Sequence, residues 1–264
     1  MLKGEAQIHC GACVNQFKEK NPGRGLPRNT EVRRKKMIHV IKSFQRVPKG
    51  LVEEYKKLSS ATIYEASGAK GALSSRIKPI SPDMTVCGPV VTVKVKPRDN
   101  LLLHKAIYVA RPGDVLVADA EGFAEAGAWG EVMAVAAQSR GIAGLVFNGA
   151  VRDTQAMSNM GFPVFSCSVS IKTTEKISLG WINHPLIMDN VDIHPGDLIF
   201  GDRDGVVVVS REEAEDVLQK SLAREEKENM IKERLRKGES TLDILGFSEL
   251  LEKRGLSEET GTPG

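Results

Sequence analysis

Two short segments carry residue types suited to holding a small anionic substrate. The segment Gly130 to Met133 places a glycine before a predicted helix over 131–140. The first backbone N–H groups of a helix, here those of about 131–133, have no intrahelical acceptor, so together with the helix dipole they attract carboxylates and phosphates. The second segment, Gly149 to Asp153, follows a predicted buried strand at 144–147. If helix and strand form one hairpin-like unit, the two segments meet at the same end.

The side chains of Arg152 and Asp153 complement such an anion site. A guanidinium grips an oxyanion with two parallel hydrogen bonds. A carboxylate binds Mg²⁺ or Mn²⁺, hard ions that prefer oxygen ligands and keep several waters. Together they suit a small keto acid that chelates a metal ion. Two simpler interpretations stay open: Arg152 and Asp153 as a surface ion pair, and Glu131 as a favourable first-turn acid.

The composition is that of an ordinary globular chain and excludes several classes of protein. The 264 residues are 41% hydrophobic and 27% charged. Apolar runs are too short to span a bilayer, and no basic-then-apolar signal segment is present, so we expect a cytoplasmic protein. Aromatic residues make up only 5%, which argues against a base-stacking nucleic-acid surface.

The formal net charge of +3 is unevenly distributed. Residues 1–36 hold nine basic and three acidic residues, a net of +6, and residues 37–264 have a net of −3. Because 14–36 lack apolar periodicity and contain prolines and glycines, we expect 1–36 to be a disordered basic extension, with Met37 as an alternative natural start. Cys10 and Cys13 form a CxxC beside His9, which leaves a zinc or redox role open, although a zinc site normally needs a second pair.

Residues 37–210 mix predicted strands and helices without strict βαβ regularity, which indicates a single α/β or α+β domain. Residues 211–264 form a C-terminal helical region, predicted as a charged helix pair broken at Gly238. The remaining predicted elements are helices at 49–70 and 99–110, a short helix after Asp153, and strands at 84–95, 115–118, 162–165 and within 186–209.

From about Ala61 to Gly255 the chain resembles the 4-hydroxy-4-methyl-2-oxoglutarate / 4-carboxy-4-hydroxy-2-oxoadipate aldolase family, which also includes the regulator of ribonuclease activity A. The order and spacing of the matching stretches agree over about three quarters of the chain. These stretches are Ala61–Ala66, Asp99–His104, Arg111–Val117, Gly130–Met133, Gly149–Asp153, Met160–Phe165 and Gly201–Val209.

The resemblance implies a fold and a set of site residues. The family's fold is a layered αββα sandwich, assembled as homotrimers or dimers of trimers with sites at subunit borders. By the resemblance, Gly130, Glu131, Val132 and Met133 cradle the pyruvyl part of a 2-oxo acid, and Arg152 binds the substrate. Asp153 is then the Mg²⁺ or Mn²⁺ ligand, and Glu131 a second acid near the metal waters.

In two places the resemblance leaves a choice open. The aldolases usually have an acid three residues after the metal-binding aspartate, and this chain has Ala156; the ribonuclease regulators also lack that acid. A glutamate from the C-terminal region of a neighbouring subunit approaches the aldolase site, and Glu225, Glu226 and Glu228 all match it. His104 is either a packed helix residue or part of the site.

We therefore expect a metal-dependent lyase that cleaves a small 4-hydroxy-2-oxo acid to pyruvate and a second carbonyl compound. Oxaloacetate decarboxylation is expected beside it, because both reactions pass through the pyruvate enolate. The alternative is a non-catalytic regulator that binds a ribonuclease or another protein. Ala156 favours the regulator, whereas Arg152, Asp153 and the long C-terminal region favour the enzyme.

Overall fold

The computed structural model describes residues 39–258 and residue 261. The fold below is that of the unit that begins at Ile38, as far as its residues are described. The predictions for His9, Cys10, Cys13 and the basic extension 1–36 lie outside the described residues. Within those residues, no helix is both long enough and apolar enough to cross a membrane.

Ten strands and eight helices build the described part of the chain. The strands are β1 (Lys78–Pro79), β2 (Val86–Lys94), β3 (Val115–Trp129), β4 (Gly144–Val151), β5 (Val164–Val169), β6 (Trp181–Ile182), β7 (Leu186–Met188), β8 (Val191–Ile193), β9 (Leu198–Gly201) and β10 (Val206–Val209). The helices are α1 (Lys49–Tyr55), α2 (Ser60–Ala66), α3 (Leu101–Ile107), α4 (Glu131–Gln138), α5 (Thr154–Asn159), α6 (Ala214–Arg236), α7 (Thr241–Ile244) and α8 (Phe247–Lys253).

The centre of the fold is a parallel sheet in the order β5-β4-β3-β2. Short antiparallel strands extend it: β1 pairs with β5, β6 and β9 pair with β2, and β10 pairs with β9. All eight residues of β4 are buried, as expected for a parallel strand covered on both faces. Every polar group that follows β4 is therefore presented at the end of a rigid strand.

Alternating side chains of the sheet face two different layers, because successive residues of a strand point to opposite sides. Leu116, Leu145 and Phe147 pack in a cluster with residues of α3 and α4. Val115, Val117 and Val146 pack in a second cluster with β7 to β10. The outer face of β9 and β10 is covered by α1, α2 and α6. The result is a barrel-like sheet between two helical layers, which confirms the predicted αββα class.

Several predicted boundaries were wrong for identifiable reasons. The predicted helix 49–70 is two helices, since Ser59 caps a new one by accepting a hydrogen bond from the Thr62 N–H at 3.2 Å. Strand β3 does not end at Ala118 but continues to Trp129 through register shifts, and β4 continues past Phe147 to Val151. The C-terminal helix does end near Gly238 (φ 93°), but two short helices follow it rather than one.

The first third of α6 belongs to the body, and the rest leaves it. Val217 and Leu218 are buried in the layer that covers β9 and β10. Beyond Ser221 the helix is mainly half-buried or exposed, and α7 and α8 contain no buried residue. Residues 214–221 therefore pack on the body, and the rest of α6 with α7 and α8 forms a charged, largely exposed helical arm.

Candidate functional site

The start of α4 and the end of β4 lie side by side because the strands leading to them are paired. Trp129 of β3 and Val151 of β4 are register partners, and the Arg152 N–H donates to the Trp129 carbonyl at 2.8 Å. Strand β3 then enters α4 through Gly130, and β4 continues into Arg152 and Asp153. The two segments lie at the same end of the sheet, as predicted, because β3 and β4 run parallel and are paired as far as Trp129 and Val151.

Asp153 is the residue that joins the two segments. Its backbone is left-handed (φ 55°, ψ 36°), a conformation that aspartate tolerates better than most residues. It occupies the N-cap position of α5, but its carboxylate caps nothing there. Instead Oδ2 accepts a hydrogen bond from the Glu131 N–H at 3.3 Å and lies 3.6 Å from the Arg152 Nε. The carboxylate therefore points across the gap toward the start of α4.

Two glycines leave the space that these side chains fill. A Cβ on Gly130 would lie 2.4 Å from the Asp153 Oδ2 and 3.1 Å from the Arg152 Cγ. A Cβ on Gly127 would lie 2.2 Å from the Ser170 carbonyl oxygen and 2.9 Å from the Arg152 Cβ. The shortest contact at each glycine, 2.4 Å at Gly130 and 2.2 Å at Gly127, is too short for any other residue unless a neighbouring atom moves. Gly127 was not among the predicted site residues, although the Gly/Ala-rich stretch from Glu121 to Gly130 surrounds it.

The N-terminus of α4 offers fewer free donors than the sequence predicted. Met133 donates its N–H to the Gly130 carbonyl at 3.1 Å, so the prediction of a free group there was wrong. The Glu131 N–H is taken by Asp153, as described above. Among the described residues the Val132 N–H has no acceptor, and the Val132 side chain is 80% exposed. A ligand at this end therefore meets one free amide and one that Asp153 can release.

The charged groups of the site are open to solvent. The side chains of Arg152 and Asp153 are 46% and 44% exposed, and Glu131 is exposed as well. An exposed contact of 3.6 Å contributes little to stability because water screens it. Both side chains therefore remain free to turn toward a ligand, and the simple surface-pair interpretation does not account for the glycines that make room for them.

The donor set suits a hard divalent ion that keeps most of its water. In the described part of the chain, no three His, Cys, Asp or Glu side chains are grouped as metal ligands. Asp153 thus supplies a single carboxylate, with Glu131 on the neighbouring helix start. Mg²⁺ is commonly held by one or two carboxylates together with waters and substrate oxygens, whereas a zinc site needs three or four protein ligands. Asp153 and Glu131 therefore fit a hydrated Mg²⁺ and not a zinc ion.

Asp99 is a polar residue whose role the sequence did not reveal. It is buried, and its carboxylate accepts hydrogen bonds from the N–H groups of Leu101 (2.8 Å), Ile177 (2.9 Å) and Ser178 (2.8 Å). Burial by itself raises the pKa of Asp99, but the three backbone donors outweigh it and hold the pKa below the ordinary value. Asp99 thereby fixes the segment 175–178 against the start of α3.

Asn100 and His104, two further polar residues of this part of the chain, lie at the start of α3 and within it. Asn100 donates to the Ala128 carbonyl at 3.0 Å and contacts the Met133 sulfur, and its Oδ1 is buried without a partner among the described residues. His104 is half-buried on α3, and burial together with the charge of Lys176 lowers its pKa. No hydrogen bond between described residues joins His104 to Arg152 or Asp153.

The remaining sequence candidates lie on helices α5 and α6. Ala156 is half-buried in the first turn of α5. Glu228 of α6 accepts from Arg224 at 2.9 Å, and Arg224 also pairs with Glu65 of α2. Glu225 and Glu226 have no ion-pair partner among the described residues, so they are the two of the three candidates that are uncommitted within their own chain.

Comparison with known proteins places the chain in a family. A family model described as RraA-like, Aldolase/RraA, matches residues 60–208. A curated relative from Halalkalibacterium halodurans, named "Putative 4-hydroxy-4-methyl-2-oxoglutarate aldolase", is 39% identical over 64% of this chain and 81% of its own length. A relative of the same name from Pseudomonas fluorescens is 33% identical over 46% of this chain and 74% of its own length.

Solved structures agree with that placement. The Streptomyces coelicolor protein RraAS2, titled an unusual member of the RNase ES inhibitor RraA protein family, has a TM-score of 0.66 at 26% identity and covers 72% of this chain and 99% of its own. The "RNA-processing inhibitor RraA from Thermus thermophilis" has a TM-score of 0.53 at 26% identity, over 57% of this chain and 92% of its own. On the match of the family model and the shared fold, the chain belongs to the RraA-like Aldolase/RraA family.

Proposed function

We propose that this protein is a divalent-metal-dependent lyase acting on a small 4-hydroxy-2-oxo acid, with oxaloacetate decarboxylase activity. The observation that carries the proposal is the Arg152–Asp153 pair, which follows a fully buried strand and faces the start of α4 across two glycines. The names of the curated relatives support an aldolase. The metal dependence and the decarboxylase activity rest on the chemistry of the residues.

The residues divide the work of binding. Arg152 holds the substrate carboxylate or 2-oxo oxygen through two parallel hydrogen bonds. The exposed Val132 N–H at the positive end of α4 donates to the same oxyanion. Asp153 would hold Mg²⁺ or Mn²⁺, with Glu131 near the waters of the ion, and the ion would supply Lewis-acid polarisation of the 2-oxo group. Gly130 leaves space beside Asp153, whereas the Met133 N–H is bonded within the helix and does not contribute.

Cleavage breaks the C3–C4 bond of the substrate after the 4-hydroxyl group loses its proton. A base removes the proton of the 4-hydroxyl, the C3–C4 bond breaks, and its electrons form the enolate of pyruvate while C4 becomes a carbonyl. Arg152 and the Val132 N–H stabilise the negative charge that develops on the enolate oxygen. The proposed base is a water molecule oriented by Glu131 or by a glutamate of a neighbouring copy, and protonation at C3 then gives pyruvate. Oxaloacetate yields the same enolate by losing carbon dioxide.

We also propose that the site is completed by other copies of the chain, as a homotrimer or a dimer of trimers. The segment after β5 runs beside the site, since the Ser170 N–H donates to the Val151 carbonyl at 2.9 Å and the Gly127 N–H to the Lys172 carbonyl at 3.0 Å. This segment exposes Ile171 by 89%, and Val132 at the start of α4 is 80% exposed. Both apolar residues would be covered in an assembly that brings another copy of the chain to this end of the sheet. Glu225 or Glu226 of a neighbouring arm is the group proposed to reach the site.

Pyruvate release with and without metal tests the enzyme. The chain is assayed with oxaloacetate and with 4-hydroxy-4-methyl-2-oxoglutarate in EDTA and after addition of Mg²⁺, with lactate dehydrogenase as the reporter. Because free Mg²⁺ decarboxylates oxaloacetate by itself, a blank without protein at the same Mg²⁺ concentration gives the background, and Asp153→Asn is the test variant. Asp216→Asn, an exposed aspartate on α6, is the matched control. Turnover that Mg²⁺ fails to restore, or full activity in Asp153→Asn, refutes the proposal.

The competing function is inhibition of a ribonuclease, and Ala156 is the residue that favours it. The Streptomyces and Thermus structures carry titles that name ribonuclease or RNA-processing inhibition. Adding the purified chain to an RNase ES cleavage reaction tests this function. Dose-dependent inhibition that survives Asp153→Asn, together with no pyruvate release, would select the regulator over the lyase.

A further inference from the structure

A cavity of about 580 Å³ opens at the amino ends of the parallel strands, on the opposite edge from Arg152. Its walls include Pro89 of β2, the turn residues Gly113 and Asp114 before β3, and Ala143 before β4. Strand β4 alone separates the two edges by about 25 Å, at about 3.3 Å per residue. The cavity is therefore distinct from the proposed lyase site.

Four cationic side chains line this cavity against two carboxylates. The cations are Arg46, Lys49, Lys56 and Arg111, and the carboxylates are Glu53 and Asp114. Two of the cations are already committed: Arg46 binds Asp114 through Nε at 2.7 Å and Nη2 at 2.8 Å, and Lys56 pairs with Glu53 at 2.9 Å. Both carboxylates are thus neutralised within the cavity wall.

Lys49 and Arg111 make no direct ion pair within the described part of the chain, although Lys49 is one of three lysines whose charge helps to lower the pKa of Glu53, after its hydrogen bond to Lys56. The cavity wall keeps an excess of two positive charges. Neither side chain has an ion pair or a hydrogen bond to another described residue, and both are exposed. They come from different elements, Lys49 from the start of α1 and Arg111 from the turn before β3, and both line the cavity. An excess of two positive charges at one concave site favours an anion, because low-dielectric walls strengthen their field there.

The floor between the cations is apolar. Val47, Val52 and Cys87 are each at least nine-tenths buried and line the cavity. Burial raises the pKa of the Cys87 thiol to about 12, so the thiol adds no negative charge near neutral pH. A volume of this size is in the range of small-molecule sites, which combine an apolar lining with a few polar groups.

We propose that this cavity binds a small organic anion, one with a carboxylate or phosphate group held by Lys49 and Arg111 and an apolar body seated on Val47, Val52 and Cys87. The anionic group takes a charge-assisted contact from each cation, and the guanidinium supplies two parallel donors. The apolar body distinguishes this ligand from an inorganic ion. This binding goes beyond the proposed lyase activity and does not depend on it.

Calorimetric titration of the full chain tests the site, with phenyl phosphate as the probe and inorganic phosphate and phenol as its two halves. The probe is titrated into the wild type, Lys49→Gln/Arg111→Gln, and a control, Lys227→Gln/Arg236→Gln, which removes the same two charge types from exposed positions on α6. Arg152→Ala reports binding at the lyase site instead. Circular dichroism confirms that each variant is folded.

We expect one saturable site that binds phenyl phosphate at least tenfold more tightly than either phosphate or phenol. The Lys49/Arg111 variant should lose at least tenfold in affinity, because both charge-assisted contacts to the anionic group are removed. The α6 control and Arg152→Ala should bind as the wild type does. The proposal is overturned if phenyl phosphate does not saturate a site or binds no more tightly than phosphate. It is also overturned if Lys49→Gln/Arg111→Gln binds phenyl phosphate as the wild type does, or if Arg152→Ala loses the binding.

Discussion

Two arginine–aspartate pairs stand at opposite edges of the same parallel sheet and differ in almost every physical respect. Arg46 and Asp114 are 16% and 1% exposed and meet in two hydrogen bonds of 2.7 and 2.8 Å. Arg152 and Asp153 are about half exposed and approach only to 3.6 Å. We call Arg46–Asp114 the closed pair, because it is largely buried and joined by two hydrogen bonds, and Arg152–Asp153 the open pair, because it is exposed and makes only the longer contact.

The surroundings of the two pairs explain the difference. Asp114 also accepts the Arg111 N–H at 2.7 Å, and the Arg46 guanidinium lies 4.1 Å from the centre of the Phe44 ring, so both carboxylate oxygens are bonded and the guanidinium is held on two sides. Asp153 instead has left-handed backbone geometry and a carboxylate directed at the start of another helix. Identical side-chain chemistry thus serves stability at one edge and is available for ligands at the other.

The largest expected effect comes from Asp153→Asn, which removes the charge proposed to bind the metal ion and keeps the shape. Pyruvate release should fall about a thousandfold, or about 4 kcal/mol, as when a key electrostatic group is lost from an active site. The free energy of unfolding should change by no more than about 0.5 kcal/mol, because the pair is exposed and asparagine tolerates the left-handed conformation. Kinetics and urea unfolding measure the two quantities. A large loss of stability would show that this pair is structural after all.

The same substitution at the closed pair should have the reverse outcome. Asp114→Asn leaves the Arg46 guanidinium buried without its counter-charge, which should lower the free energy of unfolding by about 3 kcal/mol. Urea unfolding is the measurement, and Asp192→Asn, an exposed aspartate, is the control, with a change within about 0.5 kcal/mol. If Asp114→Asn were as stable as the control, the contrast between the two pairs would disappear.

Gly130→Ala tests whether the open pair needs the space beside it. The new Cβ would lie 2.4 Å from the Asp153 Oδ2 and must displace the carboxylate. Activity should fall about a hundredfold, the cost of misplacing a reacting group by about 1 Å. Gly50→Ala is the matched control, since no atom lies within 4 Å of its added Cβ. Equal kcat/KM for the two variants would contradict the role assigned to Gly130.

Asp99→Asn should give the smallest effect and one that depends on pH. One amide oxygen cannot replace two charged oxygens serving three N–H groups, so near pH 7 the loss should be about 2 kcal/mol in the free energy of unfolding. Because the pKa of Asp99 is depressed in the folded protein, its contribution is full above the unfolded value of about 3.9. It disappears as the pH falls through the folded pKa. Urea unfolding at several pH values should therefore show wild type and variant converging in acid, and a constant gap would refute this account.

Most of the core was predictable because short-range patterns determine it. The β-branched runs of β2 and β10, the helix opening at Gly130 and the break near Gly238 follow from local propensity and glycine geometry. The division between α1 and α2 was missed, since apolar spacing continues across Ser59 and only the cap interrupts it. The continuation of β3 to Trp129 was missed as well, because a Gly/Ala-rich run with irregular register lacks the β signal.

The sequence by itself determined the local features of the proposed site: an arginine and an aspartate, Arg152 and Asp153, after a buried strand, and the glycine that opens a helix at 130. Only the tertiary structure decided how these groups meet. The pairing of Trp129 with Val151 brings the two segments together, and the close approaches at Gly127 and Gly130 set the direction of Asp153. The tertiary structure also closed one arginine–aspartate pair and left the other open. Burial and the number of nearby donors set that difference, and both are properties of residues far apart in the chain.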